Sequence, residues 1–299
     1  MYQTVAILLF FLSPFATVCA KESALNGIIS GPRIFRVASL LQYGTGQPLI
    51  MSVPIYSGSF CLTFPAGTKA GIYKLLLKDD AGEASFDFVW QYEDVEVDVN
   101  AAGIVFKPGA NSSWYAFLKK EGELLKTIGT LTDSITQSDD WNDVKTTELI
   151  RLDNNAIQEL NILRDTFLSA EKNEWTVAMV KNRAYDFKNL RQMPALQRLQ
   201  ERNHYWDQIN TSELKLLNNP LYDYHIQTYL AKCLEGIESN DEKTKICKRA
   251  AIHIVQRFSK NKRAREWACD YLKTYFRITM QPQVLAYLME ENQFNSTRY

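Results

Sequence analysis

One change of rhythm constrains this chain more than anything else in it. Apolar residues recur at every second position up to about Asn100, and at every third or fourth position after about Asn111. Period two puts successive side chains on opposite faces of a strand, whereas a period near 3.6 lines them along one face of a helix. Strands first and helices afterwards, without interleaving, is the pattern of an α+β chain. The expected architecture is an N-terminal antiparallel β-sandwich followed by an all-α helical bundle.

In the first half, "IFRVASLLQY", "PLIMSVPIY", "SFCLTF", "GIYKLLLKD", "ASFDFVWQYE" and "VEVDVN" are short, rich in β-branched and aromatic residues, and separated by turn residues. Phe86, Phe88 and Trp90 fall on one side of their strand and Ser85, Asp87 and Val89 on the other. "SGS" (57–59) and "DDAG" (79–82) suit hairpin connections, where glycine accepts positive φ. In "EDVEVD" the valines Val95, Val97 and Val99 alternate with Glu96 and Asp98, the wet face of a half-buried sheet. After "KPGANSS" the stripe Trp114, Phe117, Leu118, Leu124, Leu125, Ile128 and Leu131 marks a helix, with Asn111 or Ser112 as its N-cap. A second helix is expected from near Trp141, behind Asp139 and Asp140, through Leu149, Leu152, Ile157, Leu160 and Leu163 towards Phe167. Shorter helices follow at "EWTVAMVKNR", "PALQRLQER", "SELKLL", "DYHIQTYLAKCLEGI", "KTKICKRAAIHIVQRF", "RAREWACDYLKTYF" and "QPQVLAYLMEE".

Residues 1–20 read as an export signal. "VAILLFFLSPF" has the length of a signal-peptide apolar region, and Val18 and Ala20 suit cleavage after Ala20. Export without lipid attachment at Cys19 is favoured, because Val18 is larger than the residues that usually precede a lipidated cysteine. The expected divisions are therefore the signal peptide (1–20), the β-sandwich (21–108) and the helical domain (109–299). The expected location is the periplasm or cell envelope, with no transmembrane segment in the mature chain. Lys+Arg and Asp+Glu both total 34. That balance supplies no field to draw in nucleic acid, and "KNKRAR" (260–265) reads as a solvated helix face.

Motifs of chemistry are sparse. G-x-S-x-G, a glycine-rich phosphate loop, H-E-x-x-H and C-x-x-C do not occur. No catalytic, cofactor-binding or metal-binding residue is assigned, and no cofactor is expected. "CLEGIESNDEKTKIC" places Cys233 and Cys247 symmetrically about a helical turn, so a Cys233–Cys247 disulfide is possible in an oxidising compartment. The densest functional-looking stretch is "HYWDQINTSELKLLNNPLYDYH" (204–225). Its Asn210 and Glu213 have capping-box spacing, and "NNP" ends the turn before the next helix. Its aromatic rings are expected to pack over the elbow with their polar atoms in water. If the chain binds a small ligand, His204, Trp206, Asp207 and Tyr224 are the first candidates, with Asp223 a further acid that could orient a histidine.

Four stretches together resemble a known arrangement. "ASFDFVWQYEDVEVDVN", "NSSWYAFLKKEGELL", "HYWDQINTSELKLLNNPLYDYHIQTYL" and "WACDYLKTYFRITMQPQVLAYLMEEN" are similar to the N-terminal part of Bacteroidetes-type envelope thiol–disulfide oxidoreductases. In that family a β-domain of unknown function and a helical region precede a thioredoxin domain carrying C-x-x-C. This sequence ends at Tyr299, where that domain would begin, so the resemblance carries over no catalytic residue. It implies an exported, non-catalytic interaction or scaffold protein of the bacterial envelope, one that could assist a separate thioredoxin-like partner. The alternatives are a ligand binder or enzyme with a site between the two domains, or a truncated oxidoreductase.

Overall fold

Alternation of apolar and polar residues yields eight strands among the residues that the computed structural model describes, which are 23–43, 48–101, 103–138, 143–185, 201–217 and 219–296. The strands are β1 (Ala24–Ile29), β2 (Val37–Gln42), β3 (Leu49–Pro54), β4 (Ser59–Thr63), β5 (Gly71–Asp79), β6 (Gly82–Trp90), β7 (Val95–Asn100) and β8 (Gly103–Phe106). Sheet I has the order β4-β1-β7-β8 and sheet II the order β3-β2-β5-β6. All neighbours are antiparallel except β1 and β7, which run parallel with Gly27 opposite Val97. The helices are α1 (Ala110–Thr136), α2 (Val144–Ala170), α3 (Glu174–Lys181), α4 (Pro220–Leu234), α5 (Asn240–Arg257), α6 (Lys262–Ile278) and α7 (Pro282–Ser296), with 3₁₀ turns at Leu214–Leu216 and Phe258–Lys260. The chain is α+β. The expected signal segment, Asp139 to Trp141 and most of "PALQRLQER" lie outside the described residues. Among the described residues, no helix is long and apolar enough to cross a membrane.

The sandwich closes on Leu25, Leu62, Val95, Val97 and Val99 from sheet I and Leu40, Tyr73, Leu75, Leu77, Phe88 and Trp90 from sheet II. Phe64 stacks on Trp90 with ring centroids 3.9 Å apart. Gly27 is obligatory in β1: a Cβ there would lie 2.0 Å from the Phe60 ring, which fills the space of the missing side chain. At the 57–59 hairpin Ser57 and Gly58 both take positive φ, the geometry that matches strand twist.

The other face of sheet II is not wet. Tyr43, Ile72 and Val89 leave the sandwich core and join the helical core with Trp114, Phe117, Trp206, Tyr222, Ile226 and Phe258. The molecule is thus layered sheet on sheet on helices, and the end of β6 is buried on both faces. What attaches the layers is the open edge of β6. That edge presents backbone groups that no strand satisfies. The Asn111 side chain takes their place: its Oδ1 accepts from the Val89 N–H at 2.7 Å and its Nδ2 donates to the Val89 carbonyl at 2.9 Å. One helical turn later, Tyr115 Oη donates to the Asp87 carbonyl at 2.8 Å. Asn111 is therefore not the expected N-cap of α1. Gly109 holds that position without a side-chain bond, and the Asn111 amide is committed to the sheet.

α1 and α2 pair as an antiparallel hairpin. Phe117 meets Phe167 with centroids 4.8 Å apart, Ile128 meets Ala156 and Leu160, and Ser138 Oγ reaches Thr146 Oγ1 at 2.5 Å. The buried stripe of α2 is Thr146, Asp153, Ala156, Leu160 and Phe167. Leu152, expected inside, is 39% exposed because it sits off that stripe.

Replacing Asn111 with Leu leaves the Val89 N–H and carbonyl without partners in a half-buried place. Urea unfolding should show a loss of about 2 kcal/mol for Asn111→Leu, and less than half that for Tyr115→Phe.

Candidate functional site between the sheet and the helices

The cross-strand register of sheet II sets Lys74 directly opposite Asp87, on the face that the helices cover. Tyr43 lies beside them and donates its hydroxyl to the Asp87 carboxyl. The Lys74 ammonium stands 5.1 Å from the centre of the Tyr43 ring. The helices bring Tyr115 from α1, Asp223 from the first turn of α4 and Tyr271 from α6 to the same region. Asp223 acts electrostatically on both Tyr43 and Tyr271, and Lys74 acts on both aspartates. Gln227 donates to Tyr271 Oη at 2.9 Å, fixing that ring one turn beyond Asp223.

Burial dominates the electrostatics here. It pushes the Asp223 carboxyl up to about 7, with Lys74 pulling it part of the way back. Asp87 is also raised by burial, while the Tyr43 hydrogen bond and Lys74 oppose the shift. Burial drives Tyr43 and Tyr115 upward, and Tyr271 up to about 12, so the three phenols stay neutral. Two carboxyls made reluctant to ionise and three neutral phenols are thus gathered around Lys74 between the sheet and the helices. Such groups can exchange a proton near neutral pH or hold a polar ligand.

The residues singled out from sequence do not make one site. His204 and Asp207 are exposed and bond to each other, Nδ1 to Oδ2, at 2.8 Å, and Asp207 Oδ1 also lies 3.5 Å from Arg257. His204 and Tyr224 line a cavity of about 210 Å³ with Tyr185, Glu201, Tyr205 and Lys232. Trp206 does not reach it. The indole is 2% exposed, packed against Tyr205, Tyr229 and Phe258, and its N–H has no hydrogen-bond partner. The expectation that its polar atom is in water is therefore corrected: Trp206 is a core residue. His225 is buried between Tyr205 Oη, 3.1 Å from Nδ1, and the Asn182 carbonyl, 2.8 Å from Nε2. Burial lowers its pKa to about 4, so it is a neutral brace.

The capping box is also corrected. Asn210 Oδ1 accepts from the Ser212 N–H, and Glu213 caps the short 3₁₀ turn through the Lys215 N–H. Asn219 performs the helix-starting role, accepting from the Leu221 N–H at 2.8 Å with Pro220 in the first turn of α4. Cys233 and Cys247 are both buried free thiols near each other, so the possible disulfide is not formed in this structure. Among the described residues, no group of three or more His, Cys, Asp or Glu side chains is placed to hold a metal ion.

Lys74, Asp87 and Tyr43 were not singled out from sequence. Asp223 was named only as a possible partner for a histidine. The signal available was a carboxylate standing inside an otherwise apolar run: Asp87 in "FDFVW", and Asp223 between Tyr222 and the buried His225.

No protein-family model matches the chain, and no curated protein matches it. Among solved structures, the 5-hydroxyisourate hydrolase of Klebsiella pneumoniae is similar over 29% of this chain and 99% of its own, with 20% identity and a TM-score of 0.23. A likeness that slight gives no argument about fold or activity.

Asp223 binds its proton more tightly in the folded chain, at about 7, than in the unfolded chain, at 3.8. Between those values the folded state holds the extra proton, so this group makes stability fall as pH rises. Asp223→Asn should therefore raise the unfolding free energy at pH 8 by roughly 1–3 kcal/mol and leave it little changed below pH 4, as read from urea titrations at both pH values.

Proposed function

We propose that this chain is an exported, non-catalytic interaction protein of the bacterial cell envelope that holds a partner protein on the outer face of sheet I. The observation that carries this reading is an open trough of about 940 Å³ across all four strands of that sheet. The register stacks two rows along it: Cys61, Asn26 and Glu96, and Ser59, Ile28, Asp98 and Val105. Ile28, Tyr56 and Val105 are 61%, 72% and 52% exposed, and Val53 and Pro54 continue the apolar lining. Exposed apolar side chains gathered in one concavity and interspersed with Glu96, Asp98 and Lys107 are the composition of a protein-binding surface. The resemblance to the envelope oxidoreductases makes a thioredoxin-like protein the partner to seek first.

Cys61 is an exposed thiol in that trough, whereas Cys233, Cys247 and Cys269 are buried. A photoreactive maleimide attached there should crosslink a protein from envelope extract. Ile28→Asp with Tyr56→Asp should reduce the yield at least several-fold while the circular dichroism spectrum is unchanged. Equal yield from the double variant, or no crosslinked protein at all, contradicts the proposal.

A second reading, a small-ligand binder or enzyme working between the domains, is favoured by the Asp87, Asp223 and Lys74 cluster. A ligand held there by the folded state would raise the melting temperature, and Asp87→Asn would remove that rise.

A further inference from the structure

A second cavity, of about 600 Å³, opens in the helical layer between α4, α5 and residues 202–203. Its lining divides by chemistry. Cys233, Ile237, Ile246 and Ala250 form an apolar floor, and Arg202 and Arg249 stand on the walls with Asn203 and Glu242. Among the described residues neither arginine forms an ion pair with a carboxylate, and Arg202 acts electrostatically on Tyr229 and Cys233 in the same cavity. Nearby basic side chains are committed, Lys232 to Glu201 at 2.9 Å and Arg257 to Asp207 at 3.5 Å, so these two guanidiniums are the ones the cavity can use. The polar end of the floor is already committed to its own network. Arg257 Nε donates to His253 Nε2 at 3.3 Å, His253 Nδ1 lies 2.7 Å from Tyr229 Oη, and the Tyr229 hydroxyl bonds Cys233. His253 is lowered by burial and by Arg257, so it adds no charge at neutral pH. The ionic groups facing the cavity are then two guanidiniums and one carboxylate, Glu242.

We infer that this cavity binds a small aliphatic carboxylate, with its carboxylate held by Arg202 and Arg249 and its alkyl chain laid on Ile237, Ile246, Cys233 and Ala250. Guanidinium is the side-chain group that best matches a carboxylate, because two parallel N–H donors meet its two oxygens. The volume lies within the range of small-molecule sites, and an apolar floor with a few convergent polar groups is their usual composition. Glu242 opposes a second negative charge, which favours monocarboxylates over dicarboxylates. This site is separate from both the sheet I trough and the aspartate cluster, and it stands whether or not the proposed partner exists.

Hexanoate is the probe, with hexan-1-ol and succinate as controls, measured by titration calorimetry on the full chain. Hexanoate should bind at a single saturable site, and the alcohol and the dianion should bind at least about tenfold more weakly. Arg202→Gln, at a half-buried position, and Arg249→Gln, at an exposed one, should each weaken hexanoate about tenfold. Bound hexanoate should also raise the melting temperature of the full chain, and this rise should be lost in both arginine variants. Absence of saturable hexanoate binding, equal binding of hexan-1-ol, or affinity unchanged in both arginine variants overturns the inference.

Discussion

The bidentate pairing of Asn111 with Val89 is the constraint on which the rest of this structure depends. β6 is the edge of sheet II, and an edge strand must be paired, covered or charged. Here the next element in the chain turns back and covers it. An asparagine amide offers one donor and one acceptor in the spacing of a peptide group, so it can complete a strand edge without another strand. Once Asn111 is fixed, the helical period puts Tyr115 over Asp87 and turns Trp114 and Phe117 into the core shared with Tyr43, Ile72 and Val89. The β and helical layers are thereby one body.

Joining the layers in this way has an electrostatic consequence. The face of sheet II that carries Lys74 and Asp87 would be solvated in a free-standing sandwich, where an alternating strand keeps one side in water. Covering it traps both groups, together with Asp223, at lower dielectric. Asp87 is partly compensated by Tyr43 and Lys74, whereas among the described residues only the charge of Lys74 works against the burial of Asp223. A carboxyl kept under such conditions works against the stability of its own fold above neutral pH. That is the physical ground for regarding the interface as more than a packing surface.

Much of the fold was legible because each half of the sequence keeps one period. The strands at 37–42, 49–54, 59–63, 71–79, 82–90 and 95–100 lie within runs whose alternation is plain, and the buried set Tyr222, Ile226, Tyr229, Leu230 and Cys233 of α4 follows helical spacing. β1 and β8 are weaker signals: β1 is interrupted by Gly27, whose reason is a phenylalanine on another strand, and β8 is four residues long. That the Asp87 and Val89 side of β6 is covered could not be read, because alternation tells which residues share a side and not what lies against that side. The Glu96 and Asp98 face, by contrast, did remain outside, with Val95, Val97 and Val99 buried. The aspartate cluster was not legible as a group, since Tyr43, Lys74, Asp87 and Asp223 meet only through sheet register and interlayer packing. At the elbow, local spacing suggested a site, and long-range packing instead drew Trp206 and His225 inward while leaving His204 and Asp207 outside.

Native-state hydrogen exchange at the Val89 amide tests the central claim most directly. If α1 completes the edge of β6 and the layers unfold together, Val89 should exchange with the same free energy as Leu75 in the middle of sheet II and Ile226 in α4, the full cost of global unfolding. Exchange of Val89 at the low cost of a fraying edge, or two separate opening energies for Leu75 and Ile226, would contradict it.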